Sequence, residues 1–276
     1  IFRKYPVITT DTRSCPPDSI FFALKGETFN GNRFALQALE KGCRYAVVDE
    51  EEYAEAGNPH ILLVDDCLQT LQDLAREHRR RMGTRIIGIT GTNGKTTTKE
   101  FVAAVLSENL RLHKTEGNYN SNIGMPLSML TMRNDTEVSV LEMGMSNAGE
   151  IEYLSRIAEP DIAIITNIGS SHMEYLGSRE GICKAKLEIV KGLKKDGILL
   201  LNGDEPLLRN REEIGENAYY VGFAPDCHFR AQNMRFVLGN TVFDLSIGGR
   251  VVEGVTIPTI GKHNVYAACF AYAVGV

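Results

Sequence analysis

The 276-residue chain is predicted to be α/β, with a small N-terminal α/β domain over residues 1–82. Residues 83–276 are predicted to form a parallel-sheet domain with an antiparallel β extension. From about residue 83, short apolar runs alternate with helical stripes at the spacing of a parallel sheet. A glycine-rich loop interrupts one such run and opens a helix. From about Ala218 the pattern changes to β segments separated by turn signals, with no helix between them.

In the first domain the apolar runs SIFFAL (Ser19 to Leu24), RYAVVDE (Arg44 to Glu50) and ILLVDD (Ile61 to Asp66) predict strands. Phe34, Leu36 and Leu39 mark a helix between the first two. TTDTRS (Thr9 to Ser14) precedes the first strand, and LKGETFNGNRF (Leu24 to Phe34) follows it. Loops at strand ends are where α/β proteins commonly hold ligands. Asp11, Thr12, Arg13 and Lys25 read equally as contacts of that kind or as solvated turn residues. Leu68, Leu71, Leu74 and Ala75 share one helical face. That helix ends in Arg79, Arg80 and Arg81, a run suited to the negative end of the helix dipole, with Gly83 closing it and marking the domain boundary.

The second domain is organised around IIGITGTNGKTTT (Ile86 to Thr98). Glycines let a backbone wrap closely enough for its N–H groups to face phosphate oxygens, and the following helix adds its positive end. Here Gly91, Thr92, Asn93 and Gly94 would form the cradle, with Thr97 at its end. Lys95 would reach the β- and γ-phosphates, and Thr96 would place a hydroxyl on Mg²⁺. The match to the P-loop is tight but imperfect, because its first glycine would fall on Ile89. The second domain is therefore predicted to be a P-loop-type ATPase domain.

Phe101, Val102, Val105 and Leu106 form the stripe of the next helix, and Thr115 to Pro126 is rich in turn residues. A strand over Glu137 to Met145 leads into Glu142. Another begins at Asp161 and runs into a polar end with Asn167 and His172. A helix from about Arg179 to Lys194 and a strand over Gly197 to Glu205 complete the parallel pattern. Since the C-termini of parallel strands share one edge, Gly91 to Thr96, Glu142 and His172 are expected to converge. Beyond Ala218 the Gly239–Asn240 pair fits a tight hairpin, and Gly261 to Val276 opens a last helix.

Thr96 and Glu142 are the first candidates to hold Mg²⁺, which prefers hard oxygen ligands. His172 reads either as a ligand to a second divalent ion or as a hydrogen-bonded loop histidine. Spacing alone assigns no role to Lys184 or Lys186, and Glu150 and Glu188 read as helix-surface carboxylates.

Composition restricts the function classes. With 24% charged residues and a net charge of −5, the chain lacks the broad basic surface of a nucleic-acid binder. Its six cysteines contain no C-x-x-C pair and suggest neither a zinc site nor a disulfide framework. No apolar run of about 18 residues and no charged-then-apolar leader is present, so a cytoplasmic setting is expected. The chain opens on Ile1 and closes on the apolar helical pattern AACFAYAVGV, so both ends are expected to be cut.

GTNGKTTT, GNYNSNIGMPLSML, LEMGMSNAGEI, DIAIITNIGSSHMEYLGSREGICKAKLEI and GKHN, in that order, resemble the Mur ligases of bacterial cell-wall synthesis. EMGM…GEI and KAKLEI resemble most the branch that joins D-Ala-D-Ala to a UDP-N-acetylmuramoyl-tripeptide. DTRS…FFALKGETFNGNRF resembles the family's uridine-nucleotide domain. The resemblance implies an ATP-dependent amide ligase in peptidoglycan precursor synthesis, working through an acyl phosphate. It implies Lys95 on the transferring phosphate, Thr96 and Glu142 on one Mg²⁺, and His172 on a second. Lys186 aligns with a lysine that several members carbamylate, which makes it an anionic Mg²⁺ ligand. His263 and Asn264 match the adenine-contacting GxHN motif, although Ala267 replaces a further asparagine of many relatives. Asn118 and Asn120 match the loop beside the phosphates. Asp11, Thr12, Arg13 and Lys25 match uridine-nucleotide contacts. The implied partners are these two substrates, with no nucleic acid and no membrane, and the implied state is a monomer. Members carry a further C-terminal Rossmann-like domain, which this chain is expected to lack. Two alternatives remain: another Mur-type or folylpolyglutamate-type amide ligase, and a P-loop binding module without ligase activity.

Overall fold

The computed structural model describes residues 1–276 except Glu55, Ala56, His172 and Asn210. The chain divides into two compact units. The first holds Ile1–Met82 and Pro126–Arg133, and the second holds Gly83–Met125 and Asn134–Val276.

In the first unit β1 (Ile8–Thr9), β2 (Ile20–Phe22), β3 (Tyr45–Val48) and β4 (Ile61–Leu63) form a parallel sheet in sequence order. Ile20, Phe21 and Phe22 are all buried, as expected for a parallel strand covered on both faces. Helix α1 (Ala35–Glu40) connects β2 to β3. Helix α2 (Cys67–Met82) buries Leu71 and Ala75. Asp66 Oδ1 accepts from the Gln69 N–H at its start, at 2.7 Å. Two-residue β1 is too short for sequence periodicity to reveal.

The second unit is built on a nine-stranded sheet. Its elements in chain order begin with β5 (Arg85–Thr90), α3 (Lys95–Leu106), β6 (Leu112–Lys114), α4 (Gly124–Leu130, shared with the first unit), β7 (Val138–Glu142) and α5 (Glu150–Ala158). Next come β8 (Ile162–Ile165), α6 (Met173–Leu176), α7 (Arg179–Leu187), β9 (Ile198–Asn202) and β10 (Ala218–Gly222). The last are β11 (Phe229–Val237), β12 (Asn240–Ile247), β13 (Arg250–Ile257) and α8 (Lys262–Gly275). The spatial order is β13-β12-β11-β10-β9-β8-β5-β7-β6. On one face Ile87, Ile89, Val140, Ile164, Leu200 and Phe243 pack with Val102 of α3 and Phe270 of α8 in a continuous core. The opposite face approaches β5 so closely that a Cβ on Gly88 would meet the Met143 methyl at 2.9 Å.

The β extension differs from expectation in two ways. β10 is not antiparallel: it pairs in parallel with β9 and, over two residue pairs, with β11. The antiparallel pairing begins only between β11 and β12. Fifteen residues, 203–217, separate β9 from β10, enough for a crossover between parallel strands. The hairpin turn is Leu238–Gly239, one residue earlier than the expected Gly-Asn pair. Both have positive φ, 49° and 82°, and Val237 pairs with Asn240. A type I′ turn needs that geometry at both central positions, which leaves Asn240 as the first strand residue. The expected helix from Arg179 to Lys194 is α7 followed by a 3-10 segment, Glu188–Lys191.

Leu238 is 97% exposed and packs against little, yet holds a left-handed conformation. Asn tolerates that conformation far better. Leu238→Asn is therefore expected to stabilise the protein by about 0.5–1 kcal/mol, read as a higher urea midpoint with an unchanged slope.

Candidate functional site

The C-terminal ends of β5 and β7 meet around an open cleft of about 390 Å³, lined among others by Gly91, Lys95, Asn120, Glu142, Glu150 and Lys186. β5 ends at Thr90, and the chain turns through Gly91 (φ 142°) and Gly94 (φ 79°) into α3. Gly91 is required twice over. Its φ suits glycine, and a Cβ there would lie 2.0 Å from Thr166 Oγ1. The loop is stitched to the segment after β8. The Thr92 N–H donates to the Asn167 carbonyl at 3.1 Å. The Asn93 N–H donates to Asn167 Oδ1, and Asn167 Nδ2 and Thr166 Oγ1 donate to the Asn93 carbonyl, at 3.0, 3.0 and 2.6 Å. Lys95 Nζ folds back to donate to the Gly91 carbonyl at 2.9 Å.

Glu142 is 4% exposed at the end of β7. Its Oε2 accepts from Thr96 Oγ1 at 2.9 Å, and its Oε1 accepts from Asn120 Nδ2 at 3.0 Å. Thr115 Oγ1 accepts from its N–H at 3.0 Å. Asn120 is fixed by its own backbone, whose carbonyl accepts from the Gly144 N–H at 2.8 Å. The convergence of Thr96 with Glu142 expected from the sheet edge is present. Their adjacent hydroxyl and carboxylate are hard oxygen donors on a partly desolvated charge, a donor set that fits Mg²⁺. Among the described residues no group of three His, Cys, Asp or Glu side chains could hold a metal. His172 lies outside the described residues.

Lys186, on the last turn of α7, is 2% exposed and reaches the same cleft. Burial first, and then the neighbouring Lys95 charge, push its amine down to about 7, against the opposing pull of Glu150 and Glu188. Burial likewise lowers Lys95, with Glu142 acting the other way. Glu150 and Glu188 are not plain surface carboxylates. Glu150 Oε2 accepts from the Ser146 N–H at 2.7 Å. Glu188 accepts with both oxygens from the Gly149 N–H, at 2.8 and 2.9 Å, and so caps α5. That cap joins groups 39 residues apart, so no local motif could announce it.

The remaining candidates of the second unit are not among the residues that line the cleft. Asn118 is exposed and does not line it. Thr97 follows Thr96 on α3, also outside the lining. His263 is exposed, while Asn264 is buried and donates to Thr259 Oγ1 and the Ile260 carbonyl, both at 3.0 Å, which ties the start of α8 to the preceding loop. In the first unit, Arg13 and Asp11 form a forked ion pair, with Nη2 to Oδ2 at 2.8 Å. That pairing holds the Asp11 carboxyl down at about 2. The Thr12 carbonyl accepts from Lys41 Nζ at 2.9 Å. Lys25 pairs with Asp49 at 3.1 Å, and Asn32 Nδ2 donates to the same carboxylate at 2.8 Å.

Fold and cleft together define an α/β protein in which a glycine loop leads from a central parallel strand into a helix start beside the cleft. The model of the Mur ligase middle domain matches residues 89–275, and that of the Mur ligase family catalytic domain matches residues 4–79. The chain belongs to the Mur ligase family. It is 47% identical to the UDP-N-acetylmuramoyl-tripeptide–D-alanyl-D-alanine ligase of Bacillus subtilis, over 97% of this chain and 58% of that protein. A crystal structure of MurF from Acinetobacter baumannii superposes with a TM-score of 0.88 at 31% identity, covering 96% of this chain and 58% of that one. MurF ligase from Thermotoga maritima in complex with ADP gives 0.87 at 29%, covering 97% and 62%. The chain thus spans about three fifths of the length of these relatives. No helix among the described residues is long and apolar enough to cross a membrane.

The Lys186 amine generates a pH signature. The unfolded chain holds this proton up to the ordinary lysine value of 10.5, and the folded chain releases it near 7. Stability therefore rises with pH between those values, and the cost of charging the buried amine is full below 7. In CO₂-free buffer, Lys186→Met should be more stable than the parent at pH 6, by a few kcal/mol in order of magnitude. The difference should shrink as the pH approaches 10, as urea midpoints measured across that range would show.

Proposed function

We propose that the whole protein carrying this chain is an ATP-dependent ligase that joins D-Ala-D-Ala to UDP-N-acetylmuramoyl-tripeptide in peptidoglycan precursor synthesis. The observation that carries the proposal is the Thr96–Glu142–Asn120 cluster at the mouth of the glycine loop, in a chain 47% identical to a ligase of that name. The first unit is read as the domain for the uridine-nucleotide substrate, and residues 83–276 as the ATP-binding domain. The peptide carboxylate would attack the γ-phosphorus and release ADP. The dipeptide amine would then attack the resulting acyl phosphate carbonyl, lose a proton and expel phosphate.

Each side chain has a role in that scheme. With the N–H groups of Thr92 and Asn93 held by Asn167, the backbone N–H groups of Gly94 to Thr97 would bind and orient the triphosphate, and Lys95 would leave its loop carbonyls to follow the transferred phosphoryl group. Thr96 and Glu142 would hold Mg²⁺, which neutralises phosphate charge when bound. Asn120 would fix the free carboxylate oxygen of Glu142. Lys186 is read as a carbamylation site, because a buried amine neutral near pH 7 is the form that reacts with CO₂. The carbamate, together with His172, would then serve a second ion. His263 and Asn264 are assigned to the adenine side, Asn118 to the phosphate-side loop, and Asp11, Thr12, Arg13 and Lys25 to the uridine nucleotide. A cytoplasmic monomer is the setting proposed.

ADP release by the full-length protein tests this reading. It should require both the UDP-peptide and D-Ala-D-Ala, with the pentapeptide product visible by mass. Hydrolysis indifferent to both would instead support a P-loop binding module. Thr96→Val and Glu142→Gln should each lower kcat by about two orders of magnitude without altering the thermal transition by more than a few degrees.

A further inference from the structure

One peptide unit beside the phosphate loop is gripped from both ends. The Gly169 N–H donates to Thr92 Oγ1 at 2.9 Å. The carbonyl of the same peptide, that of Ile168, accepts from Arg179 Nη2 at 2.7 Å. Arg179 is itself anchored: its Nη2 donates to both oxygens of Glu205, at 3.0 and 2.8 Å, and the Glu205 side chain is 10% exposed. Glu205 is held in turn, since its Oε1 accepts from the Leu207 N–H at 3.3 Å. The stacking distance leaves no slack at the loop end, because a Cβ on Gly169 would meet Thr92 Cγ2 at 2.8 Å.

A cation on a carbonyl oxygen polarises the amide and strengthens the hydrogen bond given by its N–H. Here that N–H occupies a lone pair of the Thr92 hydroxyl, which fixes the side-chain rotamer and leaves the hydroxyl proton to point elsewhere. Thr92 lines the cleft. Its backbone N–H is engaged by the Asn167 carbonyl, so the hydroxyl is the polar group Thr92 can offer to a ligand. We propose that Arg179, seated on Glu205, is a positioning residue for the phosphate loop. It acts through the Ile168–Gly169 peptide to aim the Thr92 hydroxyl at a phosphate oxygen of the bound nucleotide. Arg179 is not among the residues that line the cleft. Nothing in the sequence marked it, because the pairing joins the start of α7 to the loop after β9, 26 residues away.

This inference rests on the reading of the cleft as an ATP site, and a double-mutant cycle on the full-length protein separates the two. The quantity measured is the Kd for ATP with Mg²⁺, by calorimetry, in the parent, Arg179→Met, Thr92→Val and the double variant. Each single change should weaken binding roughly tenfold, the scale of one charge-assisted hydrogen bond. The double variant should be hardly weaker than Thr92→Val alone, because the peptide then has no hydroxyl left to orient. Arg179→Lys should restore part of the affinity, and Glu205→Gln should weaken it in the same direction. These two variants carry the cycle if Arg179→Met does not fold. A purely structural staple would lower the melting temperature and leave the cycle additive. Effects that multiply to about a hundredfold, or Arg179 variants that bind as the parent does, would overturn the positioning role. A parent that binds no nucleotide would instead overturn the reading of the cleft itself, before any variant is made.

Discussion

A carboxylate almost wholly removed from water at the end of a central strand must be compensated by fixed donors, or it will take up a proton or pull the strand end open. Glu142 is that group. Its two oxygens receive Thr96 from the first turn of α3 and Asn120 from the loop after β6, and its own N–H is received by Thr115. Two segments separated in sequence are thus tied to one side chain, and a third contact holds its backbone. The position of the glycine loop over the sheet edge follows from the tie to Thr96, and the shape of the opposite cleft wall from the tie to Asn120.

The cleft also concentrates cations whose charge the fold resists. Burial lowers both Lys95 and Lys186, and Lys186 feels the Lys95 charge as its second-largest cause. Opposing carboxylates soften this without removing it: Glu142 for Lys95, and Glu150 with Glu188 for Lys186. Burial disfavours the charged form of both amines, and Lys95, beside backbone N–H groups at a helix start, would have its charge favoured again by an entering polyanion. The Glu188 cap on α5 fits the same arrangement, because it keeps one carboxylate near Lys186 while satisfying the N–H of Gly149.

The sequence made some of this plain and hid the rest for physical reasons. The parallel core was readable because β5, β7, β8 and β9 are apolar runs of four to six residues, and burial on both faces leaves no alternation to misread. The convergence of Thr96 and Glu142 followed from strand direction alone. β1 and β6 were missed because two or three residues carry no period. β10 was misassigned because strand direction is set by the crossover, which leaves no mark in the strand's own residues. The Leu238–Gly239 turn was displaced by one position because leucine is a poor turn signal, and only the observed φ shows it in that role. Glu188 and Arg179 were unreadable as partners of α5 and the phosphate loop, since each acts across the fold on a backbone group that any residue supplies.

Apart from Lys95, whose amine rests on two carbonyls of the glycine loop, the contacts that hold Thr92 and Asn93 in place come from residues 166–169: two from backbone atoms of Asn167 and Gly169, and three from the side chains of Thr166 and Asn167. A loop tied to one short segment by five hydrogen bonds, two of them from backbone groups that cannot change rotamer, is held within narrow limits before any ligand arrives. The cost of organising the site is then met during folding and not during binding. The glycines at 91 and 169 support it: a methyl group at 91 would overlap Thr166 Oγ1, and one at 169 would crowd Thr92 Cγ2. Lys95, Thr96 and Glu142, the side chains to which the proposal gives the chemistry, therefore sit in a frame whose geometry depends on two positions without a side chain.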